Sequence, residues 1–232
     1  MMVIMRDSQS HDPHHTNFAL TEKPTRRSRL KQDSLNRILE AGAARLRQEG
    51  LDGAGIAPVM QDAGLTHGAF YSHFPNKDEL AIAAFRHGFT EGRPRWIGSV
   101  ADRSWAARVV RLARHYLSHR HRDARAQSCG FSALAADAAR APETFRQAYE
   151  EELRKSLNAI GGRPLDEQVE HEHYDDGIAL MALCVGGLSL ARAVKDEAFS
   201  ARILEVCKAA AAQLGGAAER KDNDSRGGRD DV

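Results

Sequence analysis

Alternating apolar and polar residues, the mark of a half-buried strand, are almost missing from this chain. β-Branched residues are sparse beyond residue 77, so the fold class reads as all-α. Cysteine is scarce too: Cys129, Cys184 and Cys207 make three in 232 residues. They have no CxxC or metal-ligand spacing, and their odd number excludes a complete disulfide framework and fits a reducing cytoplasm. No apolar run approaches the roughly 18 residues needed to span a bilayer. The amino terminus lacks the hydrophobic stretch of a secretory signal, so the chain reads as cytoplasmic, with no membrane partner. A net charge of +1 and a pI near 7.9 give no overall excess of either sign. There is no phosphate-cradling glycine loop, no nucleophile beside a base and no pair of carboxylates at a working spacing. The sequence is read as no enzyme, with no cofactor and no metal.

What is present is helical periodicity. At 42% hydrophobic content the chain can bury one substantial core or two small ones. Leu35, Ile38, Leu39, Gly42 and Leu46 form one stripe over residues 32–48, with Gly50 as a stop. Ile56, Val59, Met60 and Ala63 recur at i, i+3, i+4 and i+7, one buried face of a short helix ending at Gly64. Thr66 then caps a second short helix, on which Phe70 and Phe74 share an inward face. His67, Gly68, Tyr71, Ser72 and His73 are left mainly outward. Asn76, followed at the third helical position by Glu79, starts a longer helix directly after Pro75. Two short helices meeting at a turn, with small or polar residues outward on the second, are what a helix-turn-helix needs to enter a major groove. Lys23, Arg26, Arg27, Arg29 and Lys31 precede this unit without an intervening acid. They read as a basic arm for phosphates or a minor groove, or as a solvated tail.

Further along, residues 104–121 place Trp105, Val109, Leu112 and Tyr116 on one side. Residues 131–140 and 142–159 give two more helices, the second with Pro142 in its first turn. Gly161 and Gly162 break the pattern. Residues 166–194 hold a helix that is apolar nearly all round, and residues 200–214 a final amphipathic one. A helix apolar on every side must be covered on every side, which calls for a second copy of the chain, with Gly186 and Gly187 permitting close approach. His115 with His119, and His171 with His173, read as solvated histidines, and Cys129 as a buried thiol. Residues 1–30 and 215–232 lack a period and read as disordered.

The residues Ile38-Leu39, Leu46, Gly50-Leu51, Ile56-Ala57-Pro58-Val59-Met60, Ala63-Gly64-Leu65-Thr66-His67-Gly68 and Phe70-Tyr71-Ser72-His73-Phe74 resemble the DNA-binding domain of the TetR family of bacterial repressors. The resemblance covers roughly residues 30–90. It departs at Ala54 and Gly55, where family members carry Thr-Ser or Thr-Thr; a missing side-chain cap costs about 1 kcal/mol. The resemblance implies an amino-terminal three-helix helix-turn-helix domain, residues 31–90, and a carboxy-terminal helical ligand-binding and dimerisation domain, residues 91–214. It implies phosphate contacts from Thr66, Tyr71, His73 and Lys77, with His67, Gly68 and Ser72 nearest the base edges of a double-stranded DNA operator. The last two long helices would pair with their twofold mates in a homodimer. A small-molecule effector would sit among the middle helices, where Trp105, Tyr116, Phe131, Phe145 and Tyr149 are the candidate lining. The function implied is a transcriptional regulator, a repressor released by a small apolar ligand. The alternatives are a thiol- or metal-responsive regulator on the same fold, or an all-α enzyme.

Overall fold

The computed structural model describes residues 25–98, 104–167 and 170–227, with side chains described to residue 216. Among the described residues every regular element is helical. In chain order they are α1 (Arg26–Gly53), α2 (Ile56–Asp62), a 3-10 helix (His67–Ser72), α3 (Lys77–Ile97), α4 (Trp105–Tyr116), α5 (His119–Asp123), a 3-10 turn (Arg125–Gln127), α6 (Gly130–Ala138), α7 (Glu143–Gly161), α8 (Tyr174–Ala193) and α9 (Glu197–Gly227).

Helix α1 begins earlier than the apolar stripe indicates. The Thr25 hydroxyl accepts a hydrogen bond from the Ser28 amide at 3.2 Å, an N-cap that carries the helix back to Arg26. Residues 26–30 are therefore helical rather than disordered, while Lys23 and the other residues of 1–24 lie outside the described residues. Gly50 (φ 77°, ψ −170°) kinks the far end of α1, a backbone that favours glycine. A Cβ at Gly50 would also sit 2.5 Å from Asp137 Oδ2, the carboxylate that accepts from the Leu51 amide at 3.1 Å.

Gly55 caps α2 with no side-chain bond, as the Ala54-Gly55 departure anticipates. The missing support is replaced from outside, because Arg45 of α1 grips Asp62 through Nε at 2.6 Å and Nη2 at 3.2 Å. Gly64 then adopts φ 65°, and the Leu65 amide returns to the Met60 carbonyl at 2.9 Å, closing the turn. Asn76 Oδ1 accepts from the Glu79 amide at 2.9 Å and opens α3. Ile38, Leu46, Val59, Met60, Phe70, Leu80 and Ala84 are buried to 1% or less exposure; each large apolar side chain contributes about 1.5–3 kcal/mol on burial. These elements form the head.

Helix α3 runs out of the head into the body, where Phe85, Phe89, Arg93 and Ile97 are buried. There α7 packs on α3, α9 packs along both α4 and α8, and α6 bridges α1 to α8. Arg93 pairs with Glu152 of α7 in the interior and also bonds Ser156 Oγ at 3.2 Å. Helix α9 continues to Gly227 rather than stopping near residue 214, so residues 215–227 are helical where the sequence reads as disordered. Its alanine-rich stretch at residues 209–212 favours helix, and Gly215 lets it lie against Ala106 of α4, 3.0 Å from where a Cβ would stand. Residues 228–232 lie outside the described residues.

Helix α8, at 20 residues, is long and apolar enough to cross a membrane by length and composition, with 39% of its most apolar window buried inside the chain. This corrects the reading that no run approaches that length: glycine, alanine and serine extend the apolar stretch without adding charge. On α8 the i, i+4 series Ile178, Ala182, Gly186 and Leu190 faces outward, and on α9 Phe199 and Val206 do the same.

Candidate nucleic-acid interface

The element between Gly64 and Pro75 has two sides. Phe70 is fully buried and Phe74 nearly so, their rings 5.9 Å apart, and they root the segment in the head. Thr66, His67, Gly68, Tyr71 and Ser72 are exposed on the other side. A short 3-10 helix rather than an α-helix carries them. Tyr71, 63% exposed, is an aromatic residue held outward by edge contacts with Phe70 at 5.1 Å and His67 at 6.0 Å. The Ser72 hydroxyl donates to the Ala69 carbonyl at 2.7 Å, and nothing lies within 4 Å of a Cβ built on Gly68. The surface is therefore low at Gly68 and tall at Tyr71, with hydroxyl and imidazole groups between.

His73 and Lys77, read from the sequence as further outward contacts, are turned partly back. His73 Nε2 lies 2.9 Å from Ser34 Oγ of α1, and burial, aided by the nearby Lys31 charge, holds its pKa below the ordinary histidine value. Lys77 Nζ donates to the Asp52 carbonyl at 3.4 Å, which leaves it at the edge of the surface. Two residues invisible to spacing complete the site. Ser34 orients His73, and Arg45 clamps α2 through Asp62; both act across gaps in sequence that no local pattern encodes.

In the body, Phe131, Phe145 and Tyr149 come together with Phe85 and Phe89 of α3. Phe89 and Phe131 are 4.3 Å apart, Phe85 stacks on Tyr149 at 5.6 Å, and Phe85 meets Phe145 at 5.2 Å. Phe85 and Phe89 are absent from the sequence-based set, although their i, i+4 spacing is the available signal. Trp105 and Tyr116 stand apart from this cluster. Trp105 stacks on His173 at 4.4 Å, and Tyr116 packs edge-on to Trp96 at 5.3 Å and His121 at 4.5 Å. His121 ties three elements: Nδ1 donates to the Tyr116 carbonyl at 2.7 Å, and Nε2 accepts from the Cys129 amide at 3.0 Å. Burial pushes its pKa down to about 4. Burial likewise pushes the Cys129, Cys184 and Cys207 thiols up, which holds them protonated at neutral pH. A separate groove of about 290 Å³ opens where head meets body, between Leu51, Lys77 and Ile82 on one side and Asp137, Arg140 and Phe145 on the other.

The two glycines assigned to the interface between copies divide. Gly186 has open space beside it, whereas a Cβ on Gly187 would stand 2.7 Å from Cys207 Sγ and 3.1 Å from Leu117. Gly187 serves the packing of α8 on α9 within one chain.

Residues 38–84 match the model of the bacterial regulatory proteins, tetR family. No curated protein matches the chain. Among solved structures, a TetR-family transcriptional regulator from Cytophaga hutchinsonii superposes with a TM-score of 0.61 at 18% identity, covering 84% of this chain and 98% of its own. A TetR regulator from Chloroflexus aurantiacus gives a TM-score of 0.61 at 19% identity, with 80% and 95% covered. The reduced form of NemR from E. coli gives 0.59 at 21% identity, with 77% and 95% covered. At these identities the likeness is one of fold.

Proposed function

We propose, on the premise that this chain is a TetR-family DNA-binding transcriptional regulator, that it acts as a homodimeric repressor released from a palindromic operator by a small apolar ligand in the cytoplasm. The observation that carries the DNA reading is the exposed patch from Thr66 to Ser72 on a rigid, buried Phe70 anchor. Tyr71 and Thr66 supply hydroxyls to phosphate, and His67, Gly68 and Ser72 approach base edges. His73 and Lys77 flank the patch, Lys77 as a cation at its rim.

Dimerisation is supported by the outward apolar stripes of α8 and α9. Two copies sharing them bury both and set two heads at a fixed spacing, which is what reading two half-sites requires. Release is supported by the path of α3. Its first turn abuts the reading element at Asn76 and Lys77, and two to three turns further on it contributes Phe85 and Phe89 to the aromatic cluster of Phe131, Phe145 and Tyr149. A ligand that parts those rings shifts α3, and with it the head; binding better to the shifted state is the physical requirement for release. The three thiols, one buried and two partly buried and all raised by desolvation, favour a ligand over an oxidant as the signal. Selection of genomic fragments bound by the purified protein tests the reading. A recurring palindrome supports it, and no enrichment over bulk DNA overturns it.

A further inference from the structure

Helix α1 starts well before the head it belongs to. The residues from Thr25 to Asp33 are all exposed, and coverage begins at Ser34, where the hydroxyl meets His73 beside the reading element. About eight residues at 1.5 Å each carry the helix roughly 12 Å past that contact. The projection is capped by Thr25, so it is about two built helical turns rather than a frayed end.

Its faces are not equivalent. Arg27, Leu30, Lys31 and Ser34 stand at i, i+3, i+4 and i+7 and form a single stripe. The Ser34 end of that stripe rests on His73, and Lys31 is near enough to depress the His73 pKa. The stripe therefore runs off the head along the same side that presents His73 and Tyr71. Leu30 is 59% exposed there among the described residues, a large apolar side chain on the surface. By helical phase Arg29 lies on the opposite side of the projection, and Arg26 about a quarter turn from the centre of the stripe.

We propose that this projecting stripe is a second DNA-contacting element, with Arg27 and Lys31 on phosphates of the operator duplex and Leu30 against the sugar edge between them. A polyanion is the occupant that the charge requires: residues 26–31 carry Arg26, Arg27, Arg29 and Lys31 and no acid. The stripe is also continuous with the proposed reading surface. The proposal rests on the DNA reading above and extends it to a helical strap that adds affinity without reading sequence.

The test compares two paired variants with wild type by fluorescence anisotropy on the selected operator over a range of salt. Arg27→Gln with Lys31→Gln neutralises the stripe, and Arg26→Gln with Arg29→Gln removes the same charge from positions outside it. Glutamine keeps helix propensity, and circular dichroism verifies it. The stripe pair should weaken binding about tenfold at moderate salt and lower the log–log salt slope by about 3.6, for two cations on each of two protomers. The control pair should change each much less. Equal effects of the two pairs would reduce the projection to general positive charge, and no effect of either would remove it from the interface; both overturn the proposal. Tyr71→Ala, measured alongside, separates the readings: if it also leaves affinity intact, the DNA surface itself has been misplaced.

Discussion

The head and the body are both helical, but they satisfy their apolar faces differently. In the head, α1, α2, the 3-10 helix and the start of α3 cover one another: Ile38, Val59, Phe70 and Leu80 are all fully buried within a few dozen residues of chain. In the body, α8 and α9 pack on each other and on α4 and still leave Ile178, Leu190, Phe199 and Val206 about half exposed. The head is closed by its own sequence, and the body leaves an apolar face exposed. The proposed function uses both properties, a rigid reader and a face on which two readers could be joined.

The sharpest way to break that comparison is to charge the open faces. Leu190→Arg with Val206→Arg should leave each chain folded, since both side chains point outward, and yield monomers at micromolar concentration by light scattering. Operator affinity should then fall by about 100-fold or more, because two half-sites are no longer read together. The natural protein measuring as a monomer would remove the distinction between head and body. Next in size is the head core. Phe70→Ala should cost about 3–5 kcal/mol and lower the thermal midpoint while the dimer persists, whereas loss of the dimer would mean the two regions do not fold as separately as their burial implies.

The body has its own internal lock in His121. Unfolded, the imidazole titrates near 6.5, and in the fold burial depresses it to about 4. Between those values the unfolded chain binds a proton that the folded chain does not, so stability falls as pH drops from about 6.5 toward about 4. The loss is at most roughly 3 kcal/mol. Urea unfolding at pH 7 and pH 4.5 measures it, and His121→Gln should flatten the difference. Smaller still is the contrast of two neighbouring glycines. Gly187→Ala should cost about 1–3 kcal/mol by pressing on Cys207 and Leu117, while Gly186→Ala, with open space beside it, should leave the protomer's own stability within about 0.5 kcal/mol. Equal costs would mean both glycines face the same neighbour.

The same contrast explains what could be read from the sequence. The head is made of short-range signals: the Asn76 and Glu79 cap, Gly64 in a left-handed turn and the Phe70–Phe74 face each lie within a few residues, and each is realised. What the head hides is long-range, as in Ser34 meeting His73 across 39 positions and Arg45 reaching Asp62. These contacts turn His73 and hold α2 without leaving a local pattern. The body is mostly long-range. Helical phase locates its elements, but it could not say that Phe131, Phe145 and Tyr149 gather around Phe85 while Trp105 and Tyr116 face elsewhere. Nor could it separate Gly186 from Gly187, which differ by one step of a helix. The ends were misread for another reason: Thr25 and the alanines near residue 210 extend helices through segments with no apolar stripe, where capping and propensity act alone.

The most direct test of the account is the operator affinity of Tyr71→Ala, measured by fluorescence anisotropy at moderate salt beside the wild-type protein. Tyr71 is 63% exposed, so its truncation should leave the fold and the oligomeric state unchanged. The account predicts about tenfold weaker binding, from loss of a phosphate contact in each of two heads. An unchanged affinity, with dimer and melting temperature intact, would contradict the assignment of the reading surface.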